Sequence, residues 1–293
     1  MTALLQALRP KQWTKNLLVF AGIVFAQHAS DPALLLRAAA GFVAFSLLAS
    51  SVYIVNDLKD VEADRLHPKK RHRPIASGAL SPVVAWTIVP VLLLIVAVIA
   101  AWLGFGFLLV LAAYLASNVA YSFGLKHQVI LDVFLIASGF VLRAVAGVEL
   151  LKPVAPETQL SAWLLVCTFF GALFLAVSKR RREQANAGTL ASDQRAVLAS
   201  YTPELLDRML TITAACTLMS YALYTIWPAT VAKFGTEALL YTVPFVAYGI
   251  FRYLYLIHVK GEGGAPDEVL FKDRPLLIDV ILFVLAVGVI IYI

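Results

Sequence analysis

Residues 33–64 read ALLLRAAAGFVAFSLLASSVYIVNDLKDVEAD, an apolar run that ends in a cluster of carboxylates. A helix needs ~20 consecutive apolar residues to cross the hydrocarbon core of a bilayer, and residues 33–55 meet that requirement. Charged side chains of both signs then crowd into residues 53–78, within an otherwise very apolar chain. The pattern predicts a membrane helix whose end carries polar chemistry.

The composition agrees with a membrane protein. Of the 293 residues, 61% are hydrophobic and only 14% are charged, whereas soluble domains contain about 45–50% apolar residues. We predict an all-α, polytopic membrane protein with nine transmembrane helices near residues 17–30, 33–55, 82–103, 105–122, 129–151, 160–178, 206–227, 236–257 and 275–293. No repeat or long linker divides the chain, so residues 1–293 are predicted to form a single transmembrane domain.

The distribution of basic residues predicts the orientation. The N-terminus and the loops after the second, fourth, sixth and eighth spans hold 18 Lys and Arg residues, and the opposite side holds three. Because cytoplasmic loops are enriched in these residues, we expect the N-terminus and the basic loops to be cytoplasmic. The same positive charge attracts anionic membrane lipids, and no nucleic-acid partner is expected.

A polar stripe runs along the second span. Helical steps of three and four residues align six side chains within about 40° of one line: Ser46, Ser50, Tyr53, Asp57, Asp60 and Asp64. Asn56 lies beside this stripe. Three carboxylates within two helical turns repel one another, so they need an opposing charge.

A divalent cation would supply that charge. Asp and Asn oxygens are hard ligands, and Mg²⁺ is typically held by one or two carboxylates together with substrate phosphates. We therefore predict a Mg²⁺ site formed by Asn56, Asp57, Asp60 and Asp64, with the three aspartates as catalytic residues. The alternative is a solvated loop in which these acids pair with the nearby Lys and Arg side chains. The continuation of the stripe into the membrane favours the metal site.

The basic run HPKKRHRPIASG, residues 67–78, follows the acids. It either anchors the loop at the membrane surface or binds phosphate groups, for which guanidinium forks are well suited. We predict phosphate contact for Arg73 and leave Lys69 and Lys70 open. Arg65 is a substrate-binding candidate whose direction depends on where the helix ends.

Several motifs of the chain resemble those of a known family. The sequence NDLKDVEAD at 56–64 has the NDxxDxxxD form of the first motif of UbiA-type intramembrane prenyltransferases, and RPIASG at 73–78 and YSFGLK at 121–126 also agree. The resemblance implies a UbiA-type helical bundle with an active-site cavity facing the cytoplasm, and a single transferase domain. Family members that use a prenyl diphosphate usually carry a second motif, DxxxD. Here KHQVILDVFLIASG, residues 126–139, contains only Asp132.

Three further segments resemble the branch that transfers phosphoribose to decaprenyl phosphate: LRPKQWTKNLLVFAG at 8–22, DVFLIASGFVLRAVAG at 132–147 and SKRRRE at 178–183. This resemblance implies 5-phosphoribosyl 1-diphosphate as donor, decaprenyl (polyprenyl) phosphate as acceptor and Mg²⁺ as cofactor. The product is then decaprenylphosphoryl 5-phosphoribose, a lipid-linked precursor of cell-wall arabinan. The remaining phosphates of the two substrates need cations.

Other polar residues are candidates for substrate binding. Tyr114, Asn118, Tyr121 and Ser122 form a second polar stripe, on the fourth span, which either meets the first stripe in one cavity or forms interhelical hydrogen bonds. Arg143 lies within a span, where an ionisable group is costly; we expect it to pair with Glu149, or else to border the lipid tail. The substrate-binding candidates are Lys15, Tyr53, Asn56, Arg65, Arg73, Asn118, Tyr121, Lys126, Asp132, Lys179, Arg180, Lys272 and Arg274. For the last four basic residues, snorkelling is the alternative to phosphate contact.

The sequence leaves two alternative functions. A UbiA-type enzyme that moves a prenyl group to an aromatic or glycerol phosphate acceptor shares every feature except the weakened second motif. A transporter would place charges near the bilayer midplane and often has inverted repeats, neither of which this sequence suggests. The acceptor chain length is left open, and so is a homo-oligomer.

Overall fold

The computed structural model describes residues 3–68, 70–159, 161–187, 196–262 and 266–293, and Lys69 lies outside these ranges. Within them the structure is helical and no strand occurs, which confirms the all-α prediction. The α-helices are α1 Ala3–Leu8, α2 Ala21–Phe25, α3 Pro32–Lys59, α4 Val61–Leu66, α5 Pro82–Leu103, α6 Phe105–Phe123, α7 Leu131–Glu149, α8 Ala162–Ala187, α9 Pro203–Ile226, α10 Pro228–Phe234, α11 Val243–His258, α12 Pro266–Lys272 and α13 Arg274–Tyr292. Segments of 3-10 helix lie at Pro10–Phe20, Lys70–His72, Leu125–His127, Ala196–Ser200 and Ala238–Thr242.

Within the residues that the structure describes, eight helices are long and apolar enough to cross a membrane. They are α3, α5, α6, α7, α8, α9, α13 and the segment Ala238–His258, which contains α11. On α5, large apolar side chains such as Val91, Leu94 and Val98 are exposed, as expected for a surface that faces lipid. The chain is therefore a multi-pass membrane protein.

The first predicted span, 17–30, is not one of the eight. The 3-10 helix Pro10–Phe20 runs antiparallel to α3, through contacts of Arg9 with Asp57, Trp13 with Ser50, Asn16 with Ser46 and Val19 with Gly41. On α3, residues 57 and 41 are about 24 Å apart, most of the ~30 Å thickness of a bilayer core. This segment therefore accompanies α3 for most of that distance, and the count of nine spans stays a prediction.

The helices form two compact units. The first contains Met1–Phe123 and Leu142–Leu160 and is organised around α3. Helix α3 begins where Asp31 caps the first free backbone N–H groups and Pro32 occupies the first turn. Its buried Phe45 packs edge-on against the rings of α6. The prediction of a single transferase domain stays a prediction.

Two glycines let α2 and α7 touch backbone to backbone in the first unit. A Cβ atom built on Gly147 would lie 2.2 Å from the carbonyl oxygen of Val19, and one on Gly22 would lie 2.1 Å from the carbonyl oxygen of Gly147. No larger residue fits without moving a helix, so this contact fixes the N-terminal segment against α7.

The second unit contains Gly124–Val141 and Ser161–Ile293. Its core is formed by the helix pair α8 and α9 with α11 and α13, through buried apolar side chains such as Val177, Leu206 and Leu210. Thr202 caps α9 and Asp273 caps α13, each by accepting a backbone N–H in the first turn. Polar residues at these helix ends are thus held in fixed positions.

The expected pairing of Arg143 with Glu149 is wrong. Arg143 instead donates to Asn16 Oδ1 at 2.7 Å and to the Tyr114 hydroxyl at 2.9 Å, while Glu149 accepts from Lys152. Six residues apart on one helix, Arg143 and Glu149 point about 120° away from each other, which explains the error.

Candidate functional site

Two buried aspartates lie where α3 gives way to α4. Asp57, in the last turn of α3, and Asp64, in α4, are 4% and 2% exposed. Between the two helices, Asp60 ends the first and begins the second. The helix therefore breaks inside the predicted stripe, yet both ends of the motif point inward. We call Asn56, Asp57, Asp60 and Asp64 the acidic cluster.

Arg73 bridges the two buried aspartates. Its Nη1 donates to Asp57 Oδ1 at 3.0 Å and to Asp64 Oδ2 at 2.6 Å, and Lys70 Nζ lies 4.0 Å from Asp64 Oδ1. Charge-assisted hydrogen bonds of this kind are the stronger ones in proteins. The basic run after the motif therefore folds back onto it, and the predicted phosphate contact of Arg73 stays a prediction.

Arg9 is a member of this site that sequence reasoning missed. Its Nη2 donates to both Asp57 oxygens, at 2.6 and 2.8 Å, and its guanidinium lies over the Tyr53 ring at 4.8 Å. The backbone of Arg9 is left-handed, with φ 53°, immediately before Pro10. In the sequence, Arg9 served only as an orientation signal. The one sequence feature that indicates a turn here is that Arg9 directly precedes Pro10, since a residue before proline disfavours the helical conformation.

The other two members of the acidic cluster are available to a ligand. Asn56 and Asp60 are partly exposed, and within the described ranges their side chains form no hydrogen bond or ion pair. Among the same residues, no three His, Cys, Asp or Glu side chains are grouped closely enough to hold a metal ion. The oxygen donors fit Mg²⁺, but Arg73 has to leave Asp57 and Asp64 before they can share one ion.

The deeper part of the span 2 stripe is used for packing. Ser46 Oγ accepts from Asn16 Nδ2 at 3.0 Å, and Ser50 Oγ accepts from Trp13 Nε1 at 3.1 Å. Ser50 also donates to the Leu8 carbonyl. These hydrogen bonds attach the N-terminal segment to α3, so the serines that favoured a metal site in the sequence have structural partners.

The span 4 stripe meets the span 2 stripe through Arg143. Arg143 joins Tyr114 on α6 to Asn16, and Asn16 in turn donates to Ser46 on α3. All four side chains are less than 9% exposed. The two stripes do converge, but at a buried hydrogen-bond network that fixes the helices. Asn118 donates to the Tyr114 carbonyl at 2.8 Å, as polar residues in membrane helices often do.

A half-open groove lies between α3, α5 and α6. It is mainly apolar, and Asn56, Asn118 and Ser122 are among its lining residues. Lys59 also lines it and donates to the Ser122 carbonyl, with its ammonium 4.2 Å from the centre of the Phe123 ring. Asn56 thus borders both the acidic cluster and this groove.

The remaining candidates of the first unit have local partners. Arg65 donates to Glu62 at 2.9 Å and is exposed, which agrees with its position on the far side of the helix. Lys15 contacts Gln12, and Tyr121 is partly exposed near the end of α6. Their predicted roles in substrate binding stay predictions.

In the second unit, Asp132 and Arg180 bind each other. Arg180 Nε donates to Asp132 Oδ2 at 2.7 Å, and both side chains are at most 1% exposed. The hydroxyl of Tyr201 donates to Asp132 Oδ1 at 2.7 Å. Arg180 also donates to Glu183. Both oxygens of Asp132 are therefore engaged inside the protein, and Tyr201 is a partner that the sequence did not suggest.

The other basic candidates of the second unit are nearer the surface. Lys126 is partly exposed, Lys179 lies 3.9 Å from Glu183, and Lys272 and Arg274 are exposed. Between the last two, Asp273 accepts two hydrogen bonds from Arg252, which hold the pKa of its carboxyl below the usual value. Snorkelling and phosphate contact stay the two alternatives for these cations.

Comparison with protein families gives one match over most of the chain. Residues 16–271 match the model of the UbiA prenyltransferase family. Several curated relatives carry the name decaprenyl-phosphate phosphoribosyltransferase, among them the following three. That of Mycolicibacterium smegmatis is 36% identical over 99% of this chain and 93% of its own. That of Corynebacterium glutamicum is 38% identical over 99% and 87%, and that of Mycobacterium tuberculosis is 35% identical over 97% and 92%.

Solved structures share the fold. A UbiA homologue from Archaeoglobus fulgidus, bound to GPP and Mg²⁺, superposes with a TM-score of 0.73 at 20% identity, over 99% of this chain and 100% of that one. A digeranylgeranylglyceryl phosphate synthase superposes with a TM-score of 0.64 at 17% identity, over 99% and 98%. At these identities the likeness concerns the fold alone.

Proposed function

The chain belongs to the UbiA prenyltransferase family, and from that premise we propose that it transfers 5-phosphoribose from 5-phosphoribosyl 1-diphosphate to decaprenyl (polyprenyl) phosphate. The observation that carries the proposal is the similarity, over nearly the whole chain, to three relatives named decaprenyl-phosphate phosphoribosyltransferase. The products are decaprenylphosphoryl 5-phosphoribose and diphosphate.

The acidic cluster is the proposed donor site. Asn56, Asp57, Asp60 and Asp64 offer only hard oxygen ligands, and the side chains of Asn56 and Asp60 have no partner in the described ranges. Mg²⁺ bound there would neutralise charge on the leaving diphosphate. The 20%-identical Archaeoglobus fulgidus homologue is solved with Mg²⁺, which is consistent with this proposal, although the metal requirement of this chain is a separate expectation.

Arg73 and Arg9 are proposed to bind phosphate oxygens in exchange for carboxylates. In the structure Arg73 spans Asp57 and Asp64, and Arg9 takes both oxygens of Asp57. A guanidinium binds a phosphate with the same fork geometry as a carboxylate. When the donor arrives with its cation, the aspartates gain a new positive partner and the arginines gain a new negative one. The exchange keeps every buried charge paired.

The chemistry needs no strong base. The bond from ribose C1 to the diphosphate oxygen breaks, and an oxygen of the lipid phosphate forms a bond to C1 from the opposite face. The second pKa of a phosphate monoester is about 6, so the acceptor is largely dianionic at neutral pH and no proton has to be removed. Positive charge that develops on the sugar is stabilised by the surrounding carboxylates and phosphates.

The membrane setting unites two unlike substrates. The positive-inside distribution supports a cytoplasmic acidic cluster, where the polar donor enters from water. The acceptor's phosphate lies at the bilayer surface while its chain stays in the lipid. Lys126, Lys179, Lys272 and Arg274 are proposed as the cations for the phosphates that the acidic cluster does not hold.

One experiment separates this proposal from prenyl transfer. Purified protein with Mg²⁺ is given decaprenyl phosphate and labelled 5-phosphoribosyl 1-diphosphate, or a labelled prenyl diphosphate and a phenolic acid. We expect label from the sugar donor to enter the lipid fraction. Transfer from the prenyl diphosphate alone would contradict the proposal.

A further inference from the structure

The turn before α7 contains a strained residue. Residues 124–130 form this turn, which includes the 3-10 helix Leu125–His127 and carries Lys126. Ile130 has φ 71°, in the left-handed region that β-branched residues avoid because of steric clash. Its side chain is 46% exposed, so burial of the side chain does not compensate for the strain. Another interaction must hold the backbone in this conformation.

Besides the backbone hydrogen bond from Phe134 N–H to the Ile130 carbonyl, the side chain of Tyr201 holds this residue. The backbone N–H of Ile130 donates to the Tyr201 hydroxyl at 2.7 Å, and the hydroxyl donates its own proton to Asp132 Oδ1 at 2.7 Å. Tyr201 is 2% exposed. Burial, together with the neighbouring carboxylate of Asp132, raises the pKa of Tyr201, so the hydroxyl stays protonated and keeps both hydrogen bonds at neutral pH.

The network is anchored by a fully buried ion pair. Arg180 Nε donates to the second oxygen of Asp132 at 2.7 Å, and both groups are at most 1% exposed. A carboxylate held from two sides cannot rotate, and the tyrosine that donates to it is fixed in turn. The order Arg180, Asp132, Tyr201, Ile130 is thus one continuous chain of hydrogen bonds from the interior to the turn.

The turn presents a cation at its other end. Lys126 is partly exposed and, within the described ranges, forms no ion pair or hydrogen bond through its side chain. We propose that Tyr201 is a positioning residue: it holds the strained turn so that Lys126 meets a phosphate monoester of a substrate. This inference rests on the proposed function, since it names how one substrate phosphate is bound. The phosphate belongs either to ribose C5 of the donor or to the lipid acceptor.

Tyr201→Phe removes one oxygen atom and both of its hydrogen bonds. We expect KM for one of the two substrates to rise about tenfold. A tenfold change corresponds to the free energy of about one hydrogen bond. We expect kcat to change less than about twofold. The substrate whose KM rises identifies the phosphate. The matched control is Tyr241→Phe, the same change at a tyrosine that is 78% exposed, and its KM values should equal those of the wild type.

Two double variants separate positioning from a structural role. Lys126→Gln should raise the same KM, and adding Tyr201→Phe to it should raise that KM no further, because Tyr201 acts through Lys126. Ile130→Gly should restore the KM of Tyr201→Phe, because glycine adopts a left-handed φ without strain. A purely structural tyrosine would lower the melting temperature without this pattern in KM.

Unchanged KM values in Tyr201→Phe, additive effects with Lys126→Gln, or no restoration by Ile130→Gly would each overturn the inference. Binding of labelled 5-phosphoribosyl 1-diphosphate to the wild type is measured first by equilibrium dialysis. Absence of that binding refutes the proposed function itself, whereas binding with an unaltered KM in Tyr201→Phe refutes only the role of Tyr201.

Discussion

Replacing Arg73 by Gln removes the cation that bridges Asp57 and Asp64. The substitution keeps a polar side chain of moderate length but leaves two carboxylates, each less than 5% exposed, without this partner. Asp57 retains Arg9, whereas the one cation left near Asp64 within the described ranges is Lys70, at 4.0 Å. The loss therefore falls mainly on Asp64.

The expected magnitude follows from the contacts. Hydrogen bonds to charged groups contribute about 1.5–3 kcal/mol each, and the two to Arg73 are 3.0 and 2.6 Å long. Arg73 is 29% exposed and Asp57 keeps a second arginine, so only the hydrogen bond to Asp64 is counted, within the lower half of that range. We expect a loss of about 2 kcal/mol in the free energy of unfolding. For a chain of this size that lowers the melting temperature by about 4–8 °C.

Magnesium should partly replace the missing guanidinium. If the acidic cluster binds Mg²⁺ as proposed, the ion has to compete with Arg73 for the same carboxylates in the donor-free wild type. In Arg73→Gln this competitor is gone. A ligand that binds only the folded state raises its stability in proportion to the logarithm of the free concentration over Kd. Thermal unfolding in detergent, with 10 mM Mg²⁺ or with a chelator, is expected to show a larger Mg²⁺-dependent increase in the variant, by roughly 3 °C or more.

The control is Arg71→Gln, the same change in the same loop at an exposed arginine whose contact is with the neighbouring His72. It should unfold like the wild type with and without Mg²⁺. If Arg73→Gln also unfolds like the wild type, the carboxylate bridge has no energetic role. If Arg73→Gln is destabilised but Mg²⁺ gives no increase, the acidic cluster does not hold the metal.

Three further predictions concern other parts of the chain. Asp60→Asn should abolish Mg²⁺-dependent turnover in the labelled-donor assay while its circular dichroism spectrum stays that of the wild type, and full turnover would refute the metal assignment. Gly147→Ala should lower the melting temperature by ~5 °C or more because its Cβ meets a backbone oxygen at 2.2 Å, whereas Gly288→Ala, with open space around its Cβ, should be neutral or slightly stabilising. Because Arg252 lowers the folded-state pKa of Asp273, the stability from this pair is present above the unfolded-state pKa of about 3.9 and is lost as pH falls through the lower folded-state value. Acid titration of the melting temperature should therefore show a smaller loss below pH 4 in Asp273→Asn than in the wild type.

Eight of the nine predicted spans and the inward-facing acids were predictable because each depends on a local pattern. Apolar length sets the helices, and the 3.6-residue period put Asp57 and Asp64 on the same face even though the helix breaks at Asp60. Arg73 was predictable as a neighbour because it follows the motif after a short loop. These inferences need no knowledge of how distant segments pack.

The partners from distant segments were not predictable in this way. Arg9 is 48 residues from Asp57, and Tyr201 is 69 residues from Asp132. Nothing in the local sequence distinguishes Arg9 from an orientation signal or Tyr201 from a loop aromatic. Their roles arise from tertiary packing. The same holds for Arg143, which binds Asn16 and Tyr114 and not the expected Glu149.

Asp132 and the acidic cluster differ in whether they have side-chain oxygens available to a ligand. Asp132 accepts at both oxygens from groups of its own unit and is completely buried, so binding a metal there would require breaking a buried ion pair. The acidic cluster keeps Asn56 and Asp60 without side-chain partners in the described ranges, and its paired aspartates face arginines that a phosphate can attract. A donor with a single diphosphate needs one metal site of this kind. We therefore expect one metal ion per chain, and a stoichiometry of two in the donor complex would require Asp132 to abandon Arg180.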